Sequence, residues 1–156
     1  MPVDVQFESA EEPALDAQQI EHWVEQALSV SEAGAAAATE VAVRVVDPAE
    51  MQDLNRNFRQ QDKPTNVLSF PAGEVAGLPA EEQTLLGDIV ICAPVLRAEA
   101  ADQGKPLQDH WAHMLVHGTL HLLGYDHLDE ADARKMEALE VRVLASGNIA
   151  DPYRVQ

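Results

Sequence analysis

From Leu107 to Leu123 the chain would be apolar on most sides of a helix, with Leu107, Trp111, Leu115, Val116, Leu122 and Leu123 spread around it. A helix of that kind must be wrapped by the rest of the molecule, so the pattern predicts a core helix beginning near Pro106. His113, His117 and His121 lie along it, and Gly124 follows where a helix can end in a left-handed residue. His117 and His121 are four apart, which stacks their imidazoles one turn above the other on one face. Past the glycine the chain can turn back and deliver His127 to the same point. Three neutral imidazoles with a fourth position open is the ligand pattern of catalytic zinc.

A set made of His113, His117 and His121 is the competing choice. Residues eight apart on a straight helix are separated by ~12 Å along its axis, too far to share an ion with bonds of about 2 Å. His113 is therefore expected to support the site or to pack in the core, and His110 and His22 to lie at the surface or face a partner. The spacing also matches the long zinc-peptidase motif, in which a glutamate follows the first histidine as general base. Here that position is Gly118, so the peptidase mechanism loses its proton acceptor while the metal geometry survives.

The 156 residues suit one domain spanning 1–156, and 46% apolar content makes wholesale disorder unfavourable. The start, Met1 to Pro13, is acidic and has no apolar run of the signal-peptide kind, and nothing approaches the ~20 consecutive apolar residues of a membrane span. A lone cysteine, Cys92, within an apolar run suits burial in a reducing cytoplasm. Ten basic against 27 acidic residues give a net charge of −17, which repels a polyanion at long range. The most basic window, Leu54 to Gly73, carries Arg56, Arg59 and Lys63 against a single acid, Asp62. An acidic body with one such patch can still grip a phosphate.

In chain order, Val3 to Phe7 alternates like a strand, and Ile20, Trp23, Val24, Ala27 and Leu28 mark an amphipathic helix from Asp16 to about Val30. Ser31 to Thr39 reads as a connector and Glu40 to Val46 as a valine-rich strand. Asp47-Pro48-Ala49-Glu50 predicts a helix opened by an N-cap aspartate and a capping box, with Met51, Leu54 and Phe58 buried. Asn66 to Phe70 reads as a strand stopped by Pro71, Ala72 to Thr84 as a loop, and Gly87 to Ala93 as a central strand. Helices are expected from Pro94 to about Asp102, from Pro106, and after Asp129, the last burying Ala133, Met136, Leu139 and Val143. The fold class is α/β or α+β: one domain with a small, mixed four-stranded sheet, about five helices, and the metal site on a buried helix.

The run His117-Gly118-Thr119-Leu120-His121-Leu122-Leu123-Gly124-Tyr125-Asp126-His127 resembles the signature of the YbeY family, bacterial metal-dependent endoribonucleases of ribosomal RNA maturation. Leu54 to Arg59, Thr65 to Phe70 and Gly87 to Cys92 resemble it as well, so the likeness runs from roughly residue 40 to Tyr153. One departure stands out: where the family usually reads Thr-Asp-Val-Leu-Ser-Phe, this chain has Asn66. The resemblance implies the same fold, one zinc ion, and cytoplasmic action on single-stranded ribosomal RNA in late maturation and quality control. The small ribosomal subunit and its proteins are the implied partners; no membrane and no DNA are expected.

A phosphodiester gains negative charge in the transition state, and Arg59 is the candidate to meet it, because a guanidinium binds phosphate oxygens as a fork. The resemblance points to the same arginine. The general base is open: Asp126 neighbours the third ligand but equally suits holding a histidine ring. Hydrolysis and attack by the ribose 2′-hydroxyl are both compatible with the residues. Two other functions stay open on sequence: a zinc hydrolase of peptidase type, and a ribosome-assembly factor with a structural zinc.

Overall fold

A computed structural model describes residues 3–30, 40–71, 85–125 and 129–153. The expected connector 31–39, the loop 72–84 and the pair Asp126 and His127 lie outside these. The elements follow the expected order: β1 (Val3–Phe7), α1 (Ala17–Val30), β2 (Glu40–Val46), α2 (Pro48–Arg59), β3 (Val67–Pro71), β4 (Leu85–Cys92), α3 (Ala93–Gln103), α4 (Leu107–Leu122) and α5 (Glu130–Ser146). The sheet runs β1-β2-β4-β3, with β1, β2 and β4 parallel and β3 antiparallel to β4. Pro71, expected to stop β3, is instead its last residue, which an edge strand tolerates because a missing N–H can face away from the ladder.

Alternation along the strands splits the core. Val41, Val43, Val45, Ile89 and Ile91 enter the larger cluster with α1 and α4, while Val46, Val90 and Cys92 pack with Met51 of α2 on the other face. Of the 16 residues of α4, eleven are buried, so this helix is enclosed as its composition required. Cys92 is fully buried, and burial raises its thiol above its ordinary value.

Three local expectations are overturned. Asp47 stands at the start of α2 but makes no capping bond; its carboxylate accepts from the Ser9 hydroxyl and the Ala10 N–H, tying down the chain after β1. Glu50 closes no box because it pairs with Arg44, which also binds Glu8. A reciprocal capping box forms at α1 instead, where the Asp16 carboxylate accepts from Gln19 N–H at 2.8 Å and the Gln19 amide oxygen from Asp16 N–H at 2.9 Å. Phe58, expected in the buried stripe of α2, is 56% exposed and packs edge-on to Phe70 at 5.4 Å. The apolar contact of α2 with the sheet runs through Met51 and Leu54 and does not include Phe58.

Candidate active site

The last turn of α4 closes as its glycine demanded. Gly124 has φ +101°, its N–H bonds the carbonyl of His121 at 3.0 Å, and Tyr125 N–H reaches Leu120 at 3.1 Å. This paired arrangement satisfies carbonyls that the ended helix would leave bare. Gly118 has a different reason. A Cβ there would come within 3.0 Å of Ile89 and 3.2 Å of the Ser69 hydroxyl, which donates to Gly118 carbonyl at 2.9 Å. α4 therefore presses directly on β3 and β4, and the glutamate of the peptidase motif has no room at this position.

His117 and His121 line one cleft of about 480 Å³ together with Arg59, Asn66, Ser69 and Tyr125. Their Nε2 atoms approach to 3.1 Å. Two ligands of one tetrahedral ion at zinc–nitrogen distances sit roughly 3.3 Å apart, so the pair fits a shared metal. The Nδ1–H of His117 donates to Glu140 at 2.7 Å, which turns Nε2 toward the cleft. Among the described residues no group of three His, Cys, Asp or Glu side chains forms a complete metal cage; His127 is not one of those residues.

His113 belongs elsewhere, as the axial distance required. It is 7% exposed, and its Nε2 lies 3.1 Å from the Tyr153 hydroxyl and 3.5 Å from Glu140. The competing ligand set is thus not assembled. His22 is exposed, as expected, and stacks edge-on to Trp23.

His110 is a correction: it is 2% exposed, not at the surface, with Nε2 2.8 Å from Glu99. Burial lowers its pKa from the ordinary 6.5, Glu99 opposing and Lys105 assisting. Its Nδ1 finds no partner among the described residues, so protonating it would bury a bare N–H. The unfolded chain then takes this proton first. Stability should be complete above about pH 6.5 and decline as the pH falls below it. Urea midpoints at pH 7.5 and 5.5 check this: His110→Gln should show a smaller drop than wild type.

Sequence reasoning missed Glu140. It is fully buried on α5, one turn after Met136 and three residues before Val143, so an acid in an apolar stripe was the available signal. Burial pushes its carboxyl up, but hydrogen bonds from His113, His117 and Tyr153 outweigh that and hold it at about 2. The Tyr153 hydroxyl donates to it, and burial together with that carboxylate raises the phenol.

Arg59, at the end of α2, is placed by three contacts. Nη2 donates to Ser69 carbonyl at 2.8 Å, Nη1 to Phe58 carbonyl at 3.0 Å, and the guanidinium lies 4.9 Å from the Phe70 ring centre. Among the described residues no carboxylate pairs with it. Arg56 differs, being paired with Asp53 and Asp62, so the basic window is reduced. The Asn66 amide donates to both Glu99 oxygens at 3.2 Å, and its own oxygen accepts from Val67 N–H. An aspartate here would face Glu99 with like charge, whereas the asparagine amide donates to it.

Two curated relatives carry the name endoribonuclease YbeY. That of Halorhodospira halophila is 54% identical over 141 residues, 90% of this chain and 89% of the relative. That of Cellvibrio japonicus is 49% identical over 152 residues, 97% of this chain and 82% of the relative. The solution structure of TM1509 from Thermotoga maritima matches 98% of this chain and 99% of its own with a TM-score of 0.55; at 22% identity it speaks for the fold alone. The class is that of nucleases, enzymes that hydrolyse RNA. Within it, the chain belongs to the endoribonuclease YbeY family, whose model matches residues 4–148.

Proposed function

We propose that this endoribonuclease is zinc-dependent, with His117, His121 and His127 as ligands and Arg59 on the scissile phosphate. Its substrate is single-stranded ribosomal RNA in late maturation and quality control of the ribosome, in the cytoplasm and beside the small subunit. The observation that carries this reading is the one cleft shared by His117, His121 and Arg59. Bound there, zinc supplies a Lewis acid to a phosphate oxygen. The protein does the rest. Glu140 orients His117, and the two carbonyls with Phe70 hold the Arg59 fork where charge grows. The net charge of −17 makes long-range attraction weak, so binding depends on contacts inside the cleft.

The test is cleavage of a single-stranded RNA and of casein, each with and without chelator. RNA should be cut only in the chelator-free sample, activity should return with zinc, and casein should survive throughout. Chelator-resistant RNA cleavage would remove the metal from the proposal. A metal-dead variant such as His121→Ala that still restored ribosome maturation in cells would reassign the chain to assembly.

A further inference from the structure

Glu140 is the only fully buried carboxylate among the described residues. A buried charge is costly, and an apolar side chain at such a position is often neutral or stabilising. Here both of its oxygens meet polar side chains. His117 Nδ1–H donates to one oxygen, the Tyr153 O–H to the other, and His113 stands behind the phenol with Nε2 3.1 Å from its oxygen. The set ties three parts of the chain together: α4, α5, and the segment after α5. That segment is itself braced by Asp151, whose carboxylate accepts from Tyr153 N–H at 2.8 Å.

A carboxylate can only accept, so whichever ring nitrogen of His117 faces it must carry the proton. That nitrogen is Nδ1. We infer that Glu140, held by Tyr153, is a positioning pair that locks His117 as the Nδ1–H tautomer and so commits Nε2 to the metal. The inference rests on His117 being a ligand, and it extends the site to a tyrosine 36 residues away, counting from 117 to 153. The phenol and, at 3.5 Å, His113 Nε2 both face Oε1, which leaves Oε2 to the imidazole of His117. A glutamine at 140 offers one neutral acceptor oxygen and one donor NH2, so whichever atom faces the imidazole, the acceptor-only charge that enforces Nδ1–H is gone.

The experiment uses the full chain and two readouts. Nitrogen-15 shifts of the metal-free wild type at pH 8 should show His117 protonated at Nδ1 and bare at Nε2. Competition against a chromophoric chelator should show zinc held about 10- to 100-fold more weakly by Glu140→Gln. Tyr153→Phe should weaken it in the same direction by a smaller factor, because the carboxylate remains. Circular dichroism of the metal-free proteins must match wild type for the comparison to count, and should Glu140→Gln fail to fold, the wild-type tautomer and Tyr153→Phe decide. A wild-type His117 protonated at Nε2, or unchanged affinity in folded Glu140→Gln, overturns the inference while leaving the ligands in place. A wild type that takes up no zinc sinks the ligand reading itself.

Discussion

His121→Ala is expected to lose bound zinc and to cut single-stranded RNA no faster than chelator-treated wild type, while keeping its fold. The fold should hold because His121 faces the cleft and its side chain is not part of the packed core. With one of three ligands gone, the remaining imidazoles cannot complete a tetrahedral site. His117→Ala should lose metal as well, but for two reasons at once. It also strips a donor from fully buried Glu140, and leaving such an acceptor unbonded costs roughly 1–3 kcal/mol. Metal analysis and thermal unfolding of both variants separate the effects: His121→Ala should melt close to metal-free wild type and His117→Ala clearly below it. Undiminished zinc in His121→Ala would mean that the two Nε2 atoms do not share an ion.

Arg59→Ala should behave in the opposite sense, retaining zinc and fold but losing cleavage. Removing a preorganised donor aimed at developing charge costs roughly 3–4 kcal/mol, or ~100- to 1,000-fold in rate. The side chain is exposed and its partners are two backbone carbonyls and an aromatic face, so little stability depends on it. Arg59→Lys should recover only part of the rate. An ammonium offers a point charge without the fork, and it cannot donate to two carbonyls while meeting a phosphate with two parallel bonds. Single-turnover cleavage on metal-analysed protein is the measurement. Wild-type rates in Arg59→Ala would take this arginine out of the reaction.

The contrast between these variants follows from where each residue could be read. His121 is legible from a four-residue spacing, whereas Arg59 shares its basic window with Arg56 and Lys63 and is distinguished by the resemblance to the YbeY family. Glu140 was hidden because its meaning comes from a partner 23 residues back, the distance from 117 to 140. Read alone, an acid between Leu139 and Val143 looks like one more solvated charge on a mixed helix. Asp47 erred in the other direction. Its local context fitted a cap, yet Ser9 and Ala10 claimed it from 38 and 37 residues away.

The sequence by itself determined the order of the nine elements among the described residues, the span of β2 from Glu40 to Val46, the enclosure of α4 and its end at Gly124. These depend on periodicity, and on a glycine whose positive φ is a property of one residue. Tertiary structure alone decided that His110 is buried, that Phe58 is exposed, and that Glu140 and Tyr153 stand behind His117. It also gave Gly118 its reason, the pressure of α4 on Ile89 and Ser69. Periodicity shows which face of an element is apolar. It carries no record of how far the opposing surface extends or which distant donor meets a given acid, because those are set only when the elements pack.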